Sequence, residues 1–170
     1  MLRNYELRDY FSSALTEVRL EVFSKLPFKL KNLMRLLNHW NIHIAQRHSN
    51  QRFSANFVES LVIWCWKRAG AGDDVDTAQG MKTVMCELAK GTAINIDWQG
   101  CHLIDEYQPD GQKTIKHPEL PLVLDPVNPT INMCEPFNNH KGTGISFWQS
   151  VSRVAMDTNK HPLLHDVTVW

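Results

Sequence analysis

A chain of 170 residues, 43% hydrophobic and 21% charged, fits one ordinary globular domain and excludes a disordered or fibrous polymer. Its 18 basic and 18 acidic side chains cancel, which argues against a surface coated uniformly for nucleic acid. No apolar run reaches the roughly 20 residues that cross a bilayer, and the opening Met1–Tyr10 stretch is too polar for a signal-peptide core. A cytoplasmic protein without a membrane partner is therefore expected.

The charge is spread unevenly. Residues 17–52 hold seven basic side chains against Glu17 and Glu21, and the acidic excess lies further along the chain. That points to one basic face, although an ordinary solvated helix surface accounts for the charge equally well.

Leu15 to Leu26 reads as a short amphipathic helix, stopped by Pro27, which disfavours helix in the residue before it. In the next helix Leu30, Leu33, Met34, Leu37, Trp40 and Ile44 recur at three- and four-residue steps, the period of one buried face. Ser54 is a good N-cap for a third helix that turns Phe57, Val58, Leu61, Val62 and Cys65 inward, with Trp64 and Trp66 flanking that face. Gly70 and Gly72 close it. Asp76 and Gln79 form a capping-box pattern for a fourth helix, whose stripe is Met81, Val84, Met85 and Leu88 and whose end is Gly91.

Beyond Gly91 the periodicity weakens. Ala93 to Trp98 alternates as a short strand would, although a buried helical turn fits as well. Residues 108–118 are polar loop. The apolar run Leu120–Leu124, followed by Pro126 and Pro129, is expected to be extended and then to turn. Residues 132–144 read as another loop, and Phe147, Val151, Val154 and Ala155 as a final short helix. The expected whole is a single domain over 1–170, with its core at about 15–155 and an irregular tail over 156–170. Its fold class is mainly α: a bundle of four to five helices with one minor extended pair around 94–98 and 121–124.

Several tempting constellations have plainer explanations. Cys65, Cys86, Cys101 and Cys134 lack any C-x-x-C spacing and read as structural thiols. In Asp74-Val75-Asp76 the second carboxylate is better placed as a helix cap than as a metal ligand. His140-Lys141-Gly142-Thr143-Gly144 lacks the full phosphate-loop pattern and a preceding strand. His39 and His43 are four apart on a helix but have no third ligand candidate, and His161 and His165 are discounted in the same way. No metal site is expected in this chain.

Five blocks, in order, carry a family resemblance. They are Leu15 through Lys25-Leu26-Pro27-Phe28-Lys29 to Trp40, Glu59 to Trp66, Asp76-Thr77-Ala78-Gln79-Gly80-Met81-Lys82-Thr83-Val84, Val123-Leu124-Asp125-Pro126-Val127-Asn128-Pro129-Thr130, and the late Trp148. The chain resembles the C-terminal, helical domain of 2′-5′-oligoadenylate synthetases over about residues 15–155. Most of the matched residues are helix-start and turn chemistry, so they identify the domain without performing reactions.

The resemblance implies the C-terminal lobe of a nucleotidyltransferase that polymerises ATP through 2′-5′ bonds when double-stranded RNA binds across two lobes, in antiviral innate immunity. That chemistry uses two divalent metals, Mg in a complete enzyme, held by acidic side chains. In the family these lie on strands of the N-terminal lobe beyond a Gly-Ser turn, and this sequence contains no Gly-Ser pair. No catalytic residue is therefore assigned here. Arg35 matches the arginine that reaches nucleotide phosphates, where a fixed guanidinium grips two oxygens. Asn38 stands where the family usually has a lysine, and the adenine-reading stretch is altered to Phe53-Ser54-Ala55-Asn56. Arg19, Lys25 and Lys29 sit near the RNA-contacting positions, while Leu20, Ser24 and Phe28 replace a family Arg, Lys and Thr.

Three functions follow as expectations. The first is half of a synthetase-like enzyme, with ATP, double-stranded RNA and an N-terminal catalytic lobe as partners, silent on its own. The alternative is a standalone non-catalytic module binding RNA or a protein, and the third is a structural helical adaptor. Exposed apolar residues such as Trp64 or Phe28 would mark where a second lobe docks.

Overall fold

The computed structural model describes residues 16–49, 51–98, 121–128, 131–138 and 144–170. Cys101, the 108–118 stretch, Pro129, Thr130 and His140–Thr143 lie outside the described residues. The architecture is mainly α-helical with one minor extended pair, as the sequence predicts, and the pair is parallel.

The described part of the first helix, α1, covers 16–25. The chain turns at Leu26, whose N–H returns to the Phe23 carbonyl, and Pro27 then serves as N-cap of α2, Phe28–Trp40. Leu30, Leu33, Met34, Leu37 and Trp40 are buried along α2. A π-helical segment, Asn41–Ala45, then leads into the single turn α3, Gln46–Ser49.

Here the buried stripe departs from its expected course. Ile44 is 40% exposed, while Asn41 and Ala45 are buried in its stead. The wider π turn shifts the helical phase, so the core takes the neighbours of the residue that an unbroken α period selects. Asn41 is polar yet satisfied: its amide donates to the Phe53 carbonyl at 2.9 Å and its oxygen accepts the Phe53 N–H at 3.1 Å.

Helix α4, Ala55–Arg68, starts as its cap predicts, with Ser54 Oγ accepting the Phe57 N–H. Helix α5, Thr77–Ala89, starts with Asp76 Oδ1 accepting the Gln79 N–H at 2.9 Å. The Gln79 side chain donates to Thr168 Oγ1 instead of closing the box. The helix ends before Gly91, which adopts φ +56°, a conformation that costs an L side chain energy. Strands β1, Asn95–Ile96, and β2, Leu122–Val123, pair in parallel, with Asn95 opposite Leu122 and Ile96 opposite Val123. Trp98 Nε1 donates to the Leu124 carbonyl at 2.7 Å and holds the pair's end.

The remaining elements are α6, Glu135–Asn138, α7, Gly144–Asn159, and α8, Pro162–His165. They correct three expectations. The stretch read as loop over 132–144 contains α6, because Phe137 is drawn into a ring cluster where it stacks on Phe147 at 4.4 Å. Helix α7 is not short. It spans 16 residues because Thr158 and Asn159 continue it through bonds that periodicity does not reveal: Trp40 Nε1 to Thr158 Oγ1, and Asn159 Nδ2 to Cys86 Sγ. Nor is 156–170 irregular throughout. Pro162 opens α8 at its first turn, where a missing N–H costs nothing, and His161 caps it.

Helix α5 packs along α7 and also meets α2 and α4, so the centre is a layered helical core. Its fully buried members include Leu30, Leu33 and Leu37 of α2, Phe57, Leu61 and Ile63 of α4, Val84 and Met85 of α5, and Trp148 of α7. Each such side chain contributes about 1.5–3 kcal/mol of hydrophobic stabilisation. Phe53, just before α4, stacks on Phe57 at 4.1 Å and meets Phe137, Phe147 and Trp148 edge-on or tilted. Trp64 is also buried, at 8% exposure, with the Arg68 guanidinium 5.0 Å from its ring centre. The expectation of an exposed Trp64 is thereby corrected, because the ring joins the buried core cluster with the Arg68 guanidinium over it. Phe28, by contrast, is 71% exposed.

Candidate functional site

Helix α2 presents the residues expected to meet a nucleotide. Arg35 and Asn38 are three apart and share one side of the helix, away from the Leu33–Leu37 stripe. Arg35 is exposed, and its Nη1 donates to Asn32 Oδ1 at 2.7 Å, a neutral partner one turn earlier that an anion would displace. Asn38 is half-buried. Ala55 and Asn56, in the altered adenine-reading stretch, are exposed at the start of α4, whereas Phe53 is core and Ser54 is cap.

The three cations expected to meet RNA have different surroundings. Lys25 is exposed and pairs with Glu21 one turn back on α1, at 2.7 Å. Lys29 is exposed and bonds Asp74 Oδ1 at 2.8 Å, across 45 residues of sequence. The hydrogen bond with its charge partner holds the Lys29 ammonium above its ordinary pKa and the Asp74 carboxyl below its own.

Arg19 differs from both. Its side chain is only 19% exposed and its guanidinium bonds Asp125 Oδ2, while Asp125 Oδ1 accepts the Val127 and Asn128 N–H groups. Asp125 thus closes the turn that the Leu-Asp-Pro sequence encodes and anchors α1 to it. Glu59 of α4 lies within the field of the same guanidinium. Burial raises its carboxyl above the usual range, and the Arg19 charge opposes that shift. Sequence reasoning placed Arg19 beside the lysines. The structure places it between two elements of the fold, and the sequence offered no local signal for a partner 106 residues away.

Asp74 and Asp76, the carboxylates of the D-x-D pattern, are each engaged within the fold. Asp74 holds Lys29 and Asp76 holds the first turn of α5, so the Asp74-Val75-Asp76 pattern does not fit a metal pair. Among the described residues no three His, Cys, Asp or Glu side chains gather to hold an ion. His39 and His43 are both exposed, with ring centres 4.2 Å apart. No helix among the described residues is long and apolar enough to cross a membrane.

Sequence comparison places these features in a family. Residues 2–168 match the family model described as 2′-5′-oligoadenylate synthetase 1, domain 2, C-terminus. The chain is 34% identical to inactive 2′-5′-oligoadenylate synthase 1B of Rattus norvegicus, over 79% of this chain and 35% of that protein. It is 30% identical to 2′-5′-oligoadenylate synthase 1A of the same species, over 72% of this chain and 35% of that relative. It is 29% identical to 2′-5′-oligoadenylate synthase 2 of Mus musculus, over 86% of this chain and 19% of that protein. The chain therefore spans about a third or less of the length of these relatives.

Helical fold and matches together define the class, a helical C-terminal domain of the kind that the family model describes. The chain belongs to the 2′-5′-oligoadenylate synthetase family.

Proposed function

We propose that this chain is the helical half of a two-lobed enzyme that joins ATP units through 2′-5′ bonds on sensing double-stranded RNA, and that it is catalytically silent without the lobe carrying the metal-binding carboxylates. The observation that carries this reading is the match over residues 2–168; Arg35, which the resemblance sets at the family's phosphate-reaching position, is exposed on α2. The relatives include proteins named as synthases and one named as inactive, so membership by itself is compatible with either activity.

On this reading Arg35 grips nucleotide phosphates, with Asn38 supplying a neutral contact in place of a lysine. Mg would be held by the other lobe; in this chain Asp74 is engaged with Lys29, Asp76 with the α5 cap and Asp125 with the 125–128 turn, and no three candidate ligands gather among the described residues. Double-stranded RNA lies along Lys25 and Lys29, whose ion partners are exposed and easily exchanged for phosphates. Arg19 contributes by fixing α1 against Asp125, and it meets phosphate only if that pair opens. A cytoplasmic location and a part in antiviral innate immunity go with this function.

One observation favours the second reading, a non-catalytic module binding RNA or a protein. Asn38, Ala55 and Asn56 all depart from the nucleotide-reading pattern, which weakens ATP binding while leaving Lys25 and Lys29 in place.

Titrating labelled double-stranded RNA and ATP separately against the 170-residue chain distinguishes these readings. RNA affinity is expected to fall steeply with salt, and changing Lys25 and Lys29 together to Ala should flatten the log–log salt slope by about two units. ATP affinity should fall at least tenfold in Arg35→Ala. RNA binding indifferent to both lysines, or ATP binding indifferent to Arg35, removes the corresponding half of the assignment.

A further inference from the structure

An open groove of about 520 Å³ runs between the π-helical segment with α3 on one side and the junction of α7 with α8 on the other. Its volume falls within the range of small-molecule sites, roughly 300–1,000 Å³. Neither Arg35 nor Asn38 lines it.

The floor is apolar and built by the helix irregularity. Ile44 would lie on the buried face of an unbroken α-helix. The π segment turns it out to 40% exposure, where it lines the groove together with Val154. The wall is fixed by Thr158, whose hydroxyl accepts the Trp40 indole N–H at 3.0 Å and donates to the Val154 carbonyl at 2.8 Å. The proton of that hydroxyl is committed to the Val154 carbonyl, so the group has none to donate to a ligand.

The rim is cationic. Arg153 of α7 is exposed and makes no ion pair among the described residues. His48 of α3 and His161 at the α8 cap line the same groove and add imidazole groups to its rim. The Nδ1 of His161 accepts the Leu163 N–H, which puts the ring proton on Nε2 and makes that atom a donor. The single carboxylate of the lining, Asp157, has Lys160 Nζ 3.5 Å away to offset it. The balance of the groove is therefore positive, with a planar guanidinium suited to bidentate phosphate contact.

We propose that this groove is a second ligand site, separate from the α2 nucleotide face, for a small phosphomonoester that carries a flat apolar ring. The phosphate sits on Arg153 with His48 and His161 as further donors, and the ring lies over Ile44 and Val154. A free nucleotide and a simpler aryl phosphate share this chemistry.

Methyl NMR of the full 170-residue chain tests the proposal, with phenyl phosphate, adenosine monophosphate, inorganic phosphate and adenosine as separate probes. Both ring phosphates are expected to shift the Ile44 and Val154 methyl signals saturably. Inorganic phosphate and adenosine should each bind at least tenfold more weakly. The stronger of the two ring phosphates identifies the source.

Arg153→Gln, an exposed change that leaves the core intact, should weaken ring-phosphate binding at least tenfold, and His48→Ala should weaken it less. Arg35→Ala should leave these shifts unchanged, so failure of the α2 assignment and failure of this one give different results. The proposal is overturned if millimolar ring phosphate leaves both methyl signals unmoved, if Arg153→Gln binds as tightly as the parent, or if inorganic phosphate binds as tightly as the ring phosphates.

Discussion

The ring of Trp170 occupies the notch that Gly80 leaves on α5: a Cβ added at residue 80 would stand 2.6 Å from Trp170 Cη2 and would also overlap the Leu33 side chain of α2. The glycine of the Thr-Ala-Gln-Gly block is thus a meeting point for α2, α5 and the end of the described chain. The same face of α5 holds that segment through Gln79 to Thr168, through Lys82 to the Leu164 and His165 carbonyls, and through the Trp170 N–H to Thr83 Oγ1.

Gly80→Ala should therefore destabilise the protein even though alanine favours helix by about 1 kcal/mol. Overpacking costs about 1–3 kcal/mol and falls on two neighbours at once, so a net loss of about 1–2 kcal/mol is expected in urea unfolding. In a Trp170→Ala background one of the two overlaps is gone and the penalty should shrink. Equal penalties in both backgrounds would show that Trp170 does not occupy the notch.

The Arg19–Asp125 pair joins α1 to the 125–128 turn and is mostly shielded from water, with side-chain exposures of 19% and 12%. Arg19→Met is expected to cost about 2 kcal/mol, since it leaves the Asp125 carboxylate unpaired. Asp125→Asn keeps an oxygen for the Val127 and Asn128 N–H groups and isolates the ionic part. A double-mutant cycle in denaturant should give a clear positive coupling. Coupling within error of zero would return Arg19 to the solvent-facing set.

Glu59 supplies a pH dependence. Burial raises its carboxyl in the folded state above the ordinary value of 4.5. The folded state therefore holds its proton to higher pH than the unfolded chain does, and stability falls as pH rises from about 4.5 through the folded value. Glu59→Gln removes that titration. The stability of Glu59→Gln relative to the parent should increase with pH across that window and then level off. A difference that stays flat, or slopes the other way, contradicts the burial of this carboxyl.

Cys65 and Cys134 are buried, and burial pushes both thiols up. Cys86 is half-buried, with its Sγ accepting from Asn159. Iodoacetamide labelling read by peptide mass spectrometry should modify Cys86 well before the other two under native conditions. Faster labelling of Cys65 would mean that α4 opens independently of the rest of the core.

Local signals predict local structure well here. The Ser54 and Asp76 caps and the α4 and α5 stripes are all written within a few residues of where they act, and the two extended segments show in local apolar patterning, though their parallel pairing does not. Besides α6, whose Phe137 is recruited by the distant Phe147, three things were not legible. The π segment was invisible because Ile44 fits the α period as well as Ala45 does, and only packing with the Phe53 loop selects Asn41 and Ala45. The length of α7 depends on Thr158 and Asn159, polar residues recruited by Trp40 and Cys86 from far along the chain. The α8 turn was hidden because Pro162 reads as a breaker until its place at a helix start is known.

The candidate site divides along the same line. Arg35 and Lys25 lie where neighbouring sequence puts them, on exposed helix faces. The commitment of Arg19 to Asp125 and of Lys29 to Asp74 is made by partners distant in sequence. The α3–α7 groove comes from four separate elements and leaves no motif.

The central proposal is that this chain supplies a helical framework and phosphate contacts, with no acidic cluster among its described residues to hold a metal. Purified 170-residue chain incubated with ATP, Mg²⁺ and double-stranded RNA tests it most directly, with pyrophosphate release as the readout. The account predicts release no greater than a protein-free blank. Sustained release that scales with the concentration of this chain would contradict it.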